Sequence, residues 1–370
     1  MNMSGIYLDY NACAPLKSGP YKKMLETLRF SGNPSSVHQY GRHLSGIVEE
    51  ARHQVAKALD AHAGEIIFTS CGSEANNLVI RGFEEQGVRL LVGATDHVST
   101  LYASEKVVKL PVTSQGIVNI DVLEAFLKDQ SPALVSVHMA NNETGVIQPI
   151  EDIMRLVKSY GAFMHTDAIQ AAGRLPVSFR SLGVDALTIA SSKVGGPSGA
   201  AALVLKEGIP CPSLIRGGGQ EKNRRAGTHN AAAIAGFGIA LQEAVREDWS
   251  AAEKLRDYFE QTMQERAPDV EIYGSRVPRL PNTSLLRMPG MSNEIQLMRL
   301  DLAGYAVSAG SACSSGKISA SHVLLAMGVS ETNARETIRI SLCPTTTREE
   351  IDSLLEDWFK IYEHCQLKAA

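Results

Sequence analysis

The chain has 370 residues, 44% of them apolar and 21% charged, which are globular proportions and enough for a large core beside a smaller one. A net charge of −4 gives no reason to expect a nucleic-acid partner. The longest apolar stretch, Ala231 to Leu241, falls short of the ~20 residues that cross a bilayer, so no membrane association is expected.

Along the chain, Met1 to Asp9 lacks the basic and then apolar segments of a signal peptide, and a soluble, cytoplasmic protein is expected. Ser45 to Leu59 places Ile47, Ala51, Val55 and Leu59 at helical spacing. Ile66 to Phe68 predicts a strand, and Asn76 to Phe83 a helix. Further strands are predicted at Leu90–Gly93, Val107–Val112, Leu134–His138, Phe163–Thr166, Leu187–Ala190 and Ala201–Leu205. Helices are predicted between them at Asp121–Lys128 and Ile150–Ser159. This alternation predicts an α/β fold with a mainly parallel sheet. Beyond about residue 245 the pattern changes. A helix at Ser250–Arg266 precedes strands at Glu271–Tyr273 and Thr283–Met288 and a helix at Glu294–Leu300. A helix near Val323–Met327, a strand at Ile338–Leu342 and a helix from Arg348 follow. The expected division is a large α/β domain over 14–250, and a small α+β domain from 1–13 and 251–370.

Three places in the α/β half carry chemistry. Ser70-Cys71-Gly72-Ser73-Glu74 lies between a strand and a helix, where small residues expose N–H groups at the positive helix end and suit a phosphate. A plain helix cap at Ser73 is the alternative. Asp167 follows a strand, and Gln170 lies one turn on; an Asp there can keep a pyridine nitrogen protonated or simply cap the next helix. Lys193 follows another strand and precedes Gly195-Gly196. A partly buried lysine there can form a Schiff base, although most lysines are surface charges.

Six cysteines occur, at 13, 71, 211, 313, 343 and 365, with no C-x-x-C pair and no metal-ligand spacing, so no metal site is expected. Cys313 stands within Ser308-Ala309-Gly310-Ser311-Ala312-Cys313-Ser314-Ser315-Gly316, too small and polar to pack a core, which favours a reactive thiol. Cys71 and Cys343 adjoin predicted strand ends and are expected to be buried small hydrophobes. Arg339, in an apolar strand, needs a carboxylate, from substrate or from the chain itself.

Together these segments resemble the cysteine desulfurases of the NifS/IscS type, within the class-V, fold-type-I pyridoxal-phosphate (PLP) enzymes. The likeness runs from Tyr7-Leu8-Asp9 to the last helix. It includes Gly32 to His38, Phe68-Thr69-Ser70 with Ser73-Glu74, Asn141 to Gly145, His165 to Gln170, Gly217 to Glu221, Arg225 to Thr228, and Ser308 to Ser314. The resemblance implies that Lys193 binds PLP, Asp167 pairs with its ring nitrogen, Gln170 bonds its phenolic oxygen, and His97 stacks on the ring and moves protons. It implies phosphate contacts from Gly72 and Ser73, with Thr228 reaching over from the neighbouring subunit of a homodimer. Asn33, Asn142 and Arg339 would hold the substrate carboxylate and neighbouring groups, and Cys313 would take sulfur from L-cysteine as a persulfide. The product would be L-alanine, and the sulfur would pass to an acceptor protein such as an iron–sulfur scaffold. The family usually has a histidine before the lysine and a serine two residues earlier. Here those positions are Ser192 and Ala190, so Ser192 is expected to keep one phosphate bond and Ser191 to add another. A selenocysteine lyase, or a catalytically weak binding partner in iron–sulfur assembly, is the alternative.

Overall fold

The computed structural model describes residues 5–129, 132–310 and 320–369. Its strands are β1 (Ile6–Tyr7), β2 (Ile66–Thr69), β3 (Arg89–Gly93), β4 (Val107–Leu110), β5 (Ala133–His138) and β6 (Phe163–Asp167). They continue with β7 (Ala186–Ala190), β8 (Ala201–Leu205), β9 (Glu271–Ile272), β10 (Thr283–Arg287), β11 (Tyr305–Ala306) and β12 (Thr337–Ser341). Seven form one sheet in the order β2-β8-β7-β6-β5-β3-β4. All neighbours are parallel except β8, which runs against both β7 and β2. The sheet is thus mainly parallel, as the strand–helix alternation predicts.

The two-residue period of a strand sorts the core. Phe68, Leu91, Val135 and Ile189 face one side, while Ile67, Leu90, Leu134 and Leu203 face the other. The helix Gly72–Glu85 covers the second side, packing Leu78, Val79 and Phe83 there. A separate core joins Leu8 and Tyr10 to Phe259, Leu286, Ile338 and Trp358. It lies among the helices Ser250–Arg266 and Arg348–Ala369 and the antiparallel β9-β10-β12 sheet. Among the described residues no helix is long and apolar enough to cross a membrane.

Among the described residues, two helices longer than four residues escape the periodicity reading, Ser18–Leu28 and Ala231–Ala244. The second is buried almost throughout, so it has no polar face to reveal a 3.6-residue period. It packs against Ser18–Leu28 and Gln39–Ala58. The predicted helices at Ser45 and Asn76 begin earlier, at Gln39 and Gly72; the first starts where the His38 side chain caps the Gly41 N–H.

Two stability predictions follow from the packing. Gly41 lies in the first turn of Gln39–Ala58, where a Cβ would meet Ser36 O at 2.2 Å and Asn33 O at 2.7 Å. Backbone cannot yield there as a side-chain tip can, so Gly41→Ala is expected to cost ~1–3 kcal/mol in denaturant unfolding. His165, fully buried in β6, lies between Ser136 Oγ (2.9 Å) and Thr188 Oγ1 (3.0 Å), and burial pushes its imidazole down to about 3. Its folded pKa lies below the ordinary histidine value of 6.5, so its stability contribution is complete above 6.5 and is lost as pH falls towards 3. Unfolding midpoints measured from pH 7 to pH 4 should therefore fall less steeply in His165→Gln than in wild type.

Candidate active site

Strands β2, β3, β5, β6 and β7 all end at the same edge of the sheet. The turns that leave them carry Cys71 to Ser73, His97, Asn142, Asp167 to Gln170, and Ser192-Lys193. This is the edge at which open α/β sheets bind ligands. The turns enclose a cavity of about 400 Å³, closed on its far side by Asn11, Gly310 and Arg339.

Asp167 ends β6 and is buried. Its Oδ2 accepts from Asn76 Nδ2 (2.8 Å), and its Oδ1 from the Ile169 N–H (2.9 Å). Burial pushes its carboxyl above the usual range, opposed by the Asn76 and Ile169 donors and by His97, with Asp96 adding to the rise. Such a carboxylate is stabilised by a cation placed against it. Asn76 also donates to Ser99 Oγ (2.9 Å), and Ser99 Oγ lies 2.7 Å from His97 Nδ1. The Ser99 backbone N–H also donates to His97 Nδ1 (3.1 Å). That nitrogen is therefore an acceptor, and Nε2 carries the proton of the neutral ring. Burial holds His97 below its ordinary value; Lys193 and His322 push the same way and Asp167 opposes them. One chain of hydrogen bonds thus fixes both Asp167 and His97.

Lys193 ends the short turn Ser191–Lys193 after β7. Its Nζ donates to the carbonyls of Asn11 (3.0 Å) and Ala12. Gln170 Nε2 donates to the same Asn11 carbonyl (3.0 Å), while Gln170 Oε1 accepts from Arg174 Nη1 (2.8 Å). Asn11 is buried and reaches both cores. Its side chain bonds Thr283 Oγ1 (2.9 Å) and the Asn142 carbonyl (3.2 Å), and its N–H bonds Ser341 Oγ (3.0 Å).

At the other end, the helix Gly72–Glu85 begins with Cys71 as N-cap, whose side chain makes no capping bond. The N–H groups of its first turn are left for an anion. Ser73 and Ser192 line the cavity beside them, and Ala190 contributes only a methyl. Ser191 lies elsewhere. It is fully buried against Gly196, its Oγ without a hydrogen-bond partner, and it does not line the cavity. The turn points residue 192 outward and residue 191 inward, so the second hydroxyl expected at the anion end is not there.

Arg339, in β12, is 3% exposed. Its Nη2 bonds Asp9 Oδ1 (2.6 Å), its Nη1 the Asn142 carbonyl (2.9 Å), and its Nε has no partner among the described residues. It therefore both pairs within the chain and lines the cavity. Asn33 and Thr228 are exposed and absent from the cavity wall; Asn33 Oδ1 accepts from the Ser35 N–H (2.9 Å) in a local turn. Cys71 is exposed on the cavity wall, not buried as its neighbouring strand suggests, because it lies two residues beyond β2, at the N-cap position of the helix. Cys343 is buried, and burial pushes its thiol up to about 11. Cys313 lies outside the described residues. The sequence reading missed Asn11 and Asn76; their only signal is that each lies within a turn or helix start already marked by its neighbours.

The family pattern described as Aminotransferase class-V matches residues 6–354. "Cysteine desulfurase IscS" of Dictyoglomus turgidum is 40% identical, over 97% of this chain and 94% of its own length. "Cysteine desulfurase" of Nostoc sp. is 39% identical, over 98% and 94% respectively. Among solved structures, the NifS-like protein from Rickettsia africae superposes with a TM-score of 0.89 at 36% identity, covering 97% of this chain and 99% of that one. With the lysine, aspartate and uncapped helix on one cavity, these likenesses establish that the chain belongs to the cysteine desulfurases of the class-V aminotransferase family.

Proposed function

We propose that this protein is a PLP-dependent enzyme that converts L-cysteine to L-alanine and delivers the sulfur, through a persulfide on Cys313, to an acceptor protein. The observation that carries the reading is the single cavity shared by Lys193, Asp167, His97 and the uncapped helix start at Gly72. PLP fits this set: Asp167 lacks a cation that its burial calls for, and the helix N–H groups lack an anion. When bound, PLP supplies an aldehyde to the Lys193 amine and a protonated ring that draws electrons from the substrate.

The remaining work falls to the chain's own side chains. Asp167 would hold a proton at the ring nitrogen, Gln170 would bond the phenolic oxygen, and Asn142 would contact the cofactor as well. Ser73, Ser192 and the helix N–H groups would hold the phosphate, joined by Thr228 of the partner subunit in a homodimer. Its exposure in one chain suits that role. Arg339 would hold the substrate carboxylate by sharing the Nη groups now on Asp9 and Asn142. Asn33, placed on the surface of its own chain, would act across the same dimer interface. Lys193 removes the Cα proton, and His97 accepts and returns protons nearby. The Cys313 thiolate then attacks the substrate sulfur. The S–S bond forms as the C–S bond breaks, its electron pair stays with carbon, and a proton replaces sulfur at Cβ. The balance is L-cysteine plus Cys313 thiol giving L-alanine plus Cys313 persulfide. The large domain would span 14–250 and the small one 1–13 with 251–370. An iron–sulfur scaffold in the cytoplasm is the proposed acceptor.

Two measurements test this. Purified protein with PLP, L-cysteine and a thiol reductant should release sulfide and alanine in equal amounts, and Lys193→Ala and Cys313→Ala should each abolish sulfide release. A Schiff-base spectrum without sulfide would instead favour a selenocysteine lyase, and no Schiff base at all a non-enzymatic partner. Arg339→Lys should raise KM for L-cysteine about tenfold with a smaller change in kcat, since a point charge replaces the forked guanidinium. An unchanged KM would remove Arg339 from the substrate site.

A further inference from the structure

Arg174 lies four residues beyond Gln170, in the turns that follow β6, and none of the roles above uses it. Its side chain is buried, and its Nη1 donates to the Gln170 carbonyl (2.5 Å) and to Gln170 Oε1 (2.8 Å). Its Nε and Nη2 have no hydrogen-bond partner among the described residues. The guanidinium lies instead over the rings of Tyr10 (5.2 Å) and Trp249 (5.7 Å). Trp249 is itself fixed by its indole N–H, which donates to the Gly173 carbonyl (2.6 Å). Burial pulls Arg174 down to about 10; Tyr10, Glu247 and Cys343 favour its charge and Arg339 opposes it. It is still a cation at neutral pH. A buried cation held by two rings and one neutral residue costs stability. An apolar side chain would fill the slot more cheaply, so packing alone does not account for the arginine.

What the arginine does to Gln170 follows from donor and acceptor chemistry. A glutamine amide has an oxygen that accepts and a nitrogen that donates, and a half-turn exchanges them. A guanidinium only donates. The Gln170 oxygen therefore faces Arg174, and the nitrogen faces away. Away from Arg174 is the cavity, which Gln170 lines. There Nε2 donates to the Asn11 carbonyl (3.0 Å), and the same carbonyl takes Lys193 Nζ (3.0 Å). Gln170 Nε2 thus stands within two hydrogen-bond lengths of the lysine nitrogen. An amide nitrogen carries two hydrogens, so one bond to Asn11 leaves the second for a ligand atom.

We propose that Arg174 is a positioning residue for Gln170, fixing its amide so that an N–H, and not the carbonyl, is presented to the phenolic oxygen of the cofactor. The flipped amide would set its oxygen against the phenolic oxygen and its hydrogens against the guanidinium, two repulsive contacts. The buried charge also polarises the amide and strengthens its N–H as a donor. Such a donor draws charge from the phenolic oxygen, and so lowers the pKa of the Schiff-base proton that this oxygen shares. The inference rests on the reading that the cavity binds PLP through Lys193, with Gln170 at the phenolic oxygen.

The test titrates the Schiff-base absorbance of the PLP-loaded protein against pH, with thermal unfolding to verify that each variant folds. Cys71, His97, His138, Asp167 and Arg339 are the other ionisable groups on the cavity wall besides Lys193. They stay unchanged throughout, so differences between variants report Gln170 and Arg174. Gln170→Met should raise the midpoint by about one pH unit, the worth of one hydrogen bond. Arg174→Met should raise it by a similar amount, and the double variant no further than Gln170→Met alone. A residue that merely stabilised the fold would lower the unfolding temperature without moving the midpoint. Arg174→Lys, which keeps the charge on a more flexible stem, should shift it less. Should Arg174→Met fail to fold, Arg174→Lys carries the same comparison, alone and beside Gln170→Met. An effect at Arg174 that is absent, or that persists in full beside Gln170→Met, would overturn the inference. A Gln170→Met midpoint equal to wild type would remove Gln170 from the phenolic oxygen, and the inference with it. A wild type with no Schiff-base spectrum would overturn the proposed function itself.

Discussion

Asp167 is a carboxylate at the end of a buried strand, held by two neutral donors, Asn76 Nδ2 and the Ile169 N–H. Neutral donors offset only part of the cost of a buried charge. Much of the surrounding structure can be understood as support for that group. Asn76 belongs to the helix Gly72–Glu85, one turn after Gly72, and so shares a face with the residues at the anion end. A single helix therefore sets the distance between the place for a cation and the place for an anion. Asn76 also orients Ser99, and through it the ring of His97. Moving this helix would disturb all three at once.

The second constraint couples the two cores. Asn11 bonds the β10 and β12 strands with its side chain and N–H, while its carbonyl accepts from both Lys193 and Gln170. Arg339 extends the same seam, since β12 places it against Asp9 and the Asn142 carbonyl. The backbone of Ser308 bonds that of Arg339, so the segment leading towards Cys313 starts from the strand that carries the guanidinium. On the proposed function, the substrate's carboxylate contact and the residues that precede Cys313 thus meet at β12, although the sequence separates Arg339 from Cys313 by some 25 positions.

The parallel sheet was legible because its strands are short apolar runs between amphipathic helices, and Lys193, Asp167 and Ser73 were legible because each follows such a run. What was not legible has a common physical character. Asn11 and Asn76 act through hydrogen bonds between residues 23 to 272 apart in sequence, which no local period encodes. Ser191 shows the converse. Its type suited an anion, but a 3₁₀ turn rotates about 120° per residue, and Ser192 and Lys193 emerge into the cavity while Ser191 does not. Helix Ala231–Ala244 was hidden by being apolar on every side.

The two ends of the cavity are unequally furnished. At the anion end, Ala190 and the inward Ser191 leave Ser73, Ser192 and the helix N–H groups as this chain's donors. Neutral hydroxyls and a helix terminus hold a phosphate less firmly than an added imidazolium would, since a charge-assisted bond is roughly twice as strong as a neutral one. At the cation end the chain places Asp167, a buried carboxylate held by two neutral donors. Binding at the two ends is additive only for a rigid ligand that reaches both, and a ring carrying a phosphate arm is such a ligand. A weaker hold at the arm then leaves more of the binding to Asp167, and that contact has an effect that the arm cannot have. It acts on the ring's protonation, and so on the property that makes the ring useful.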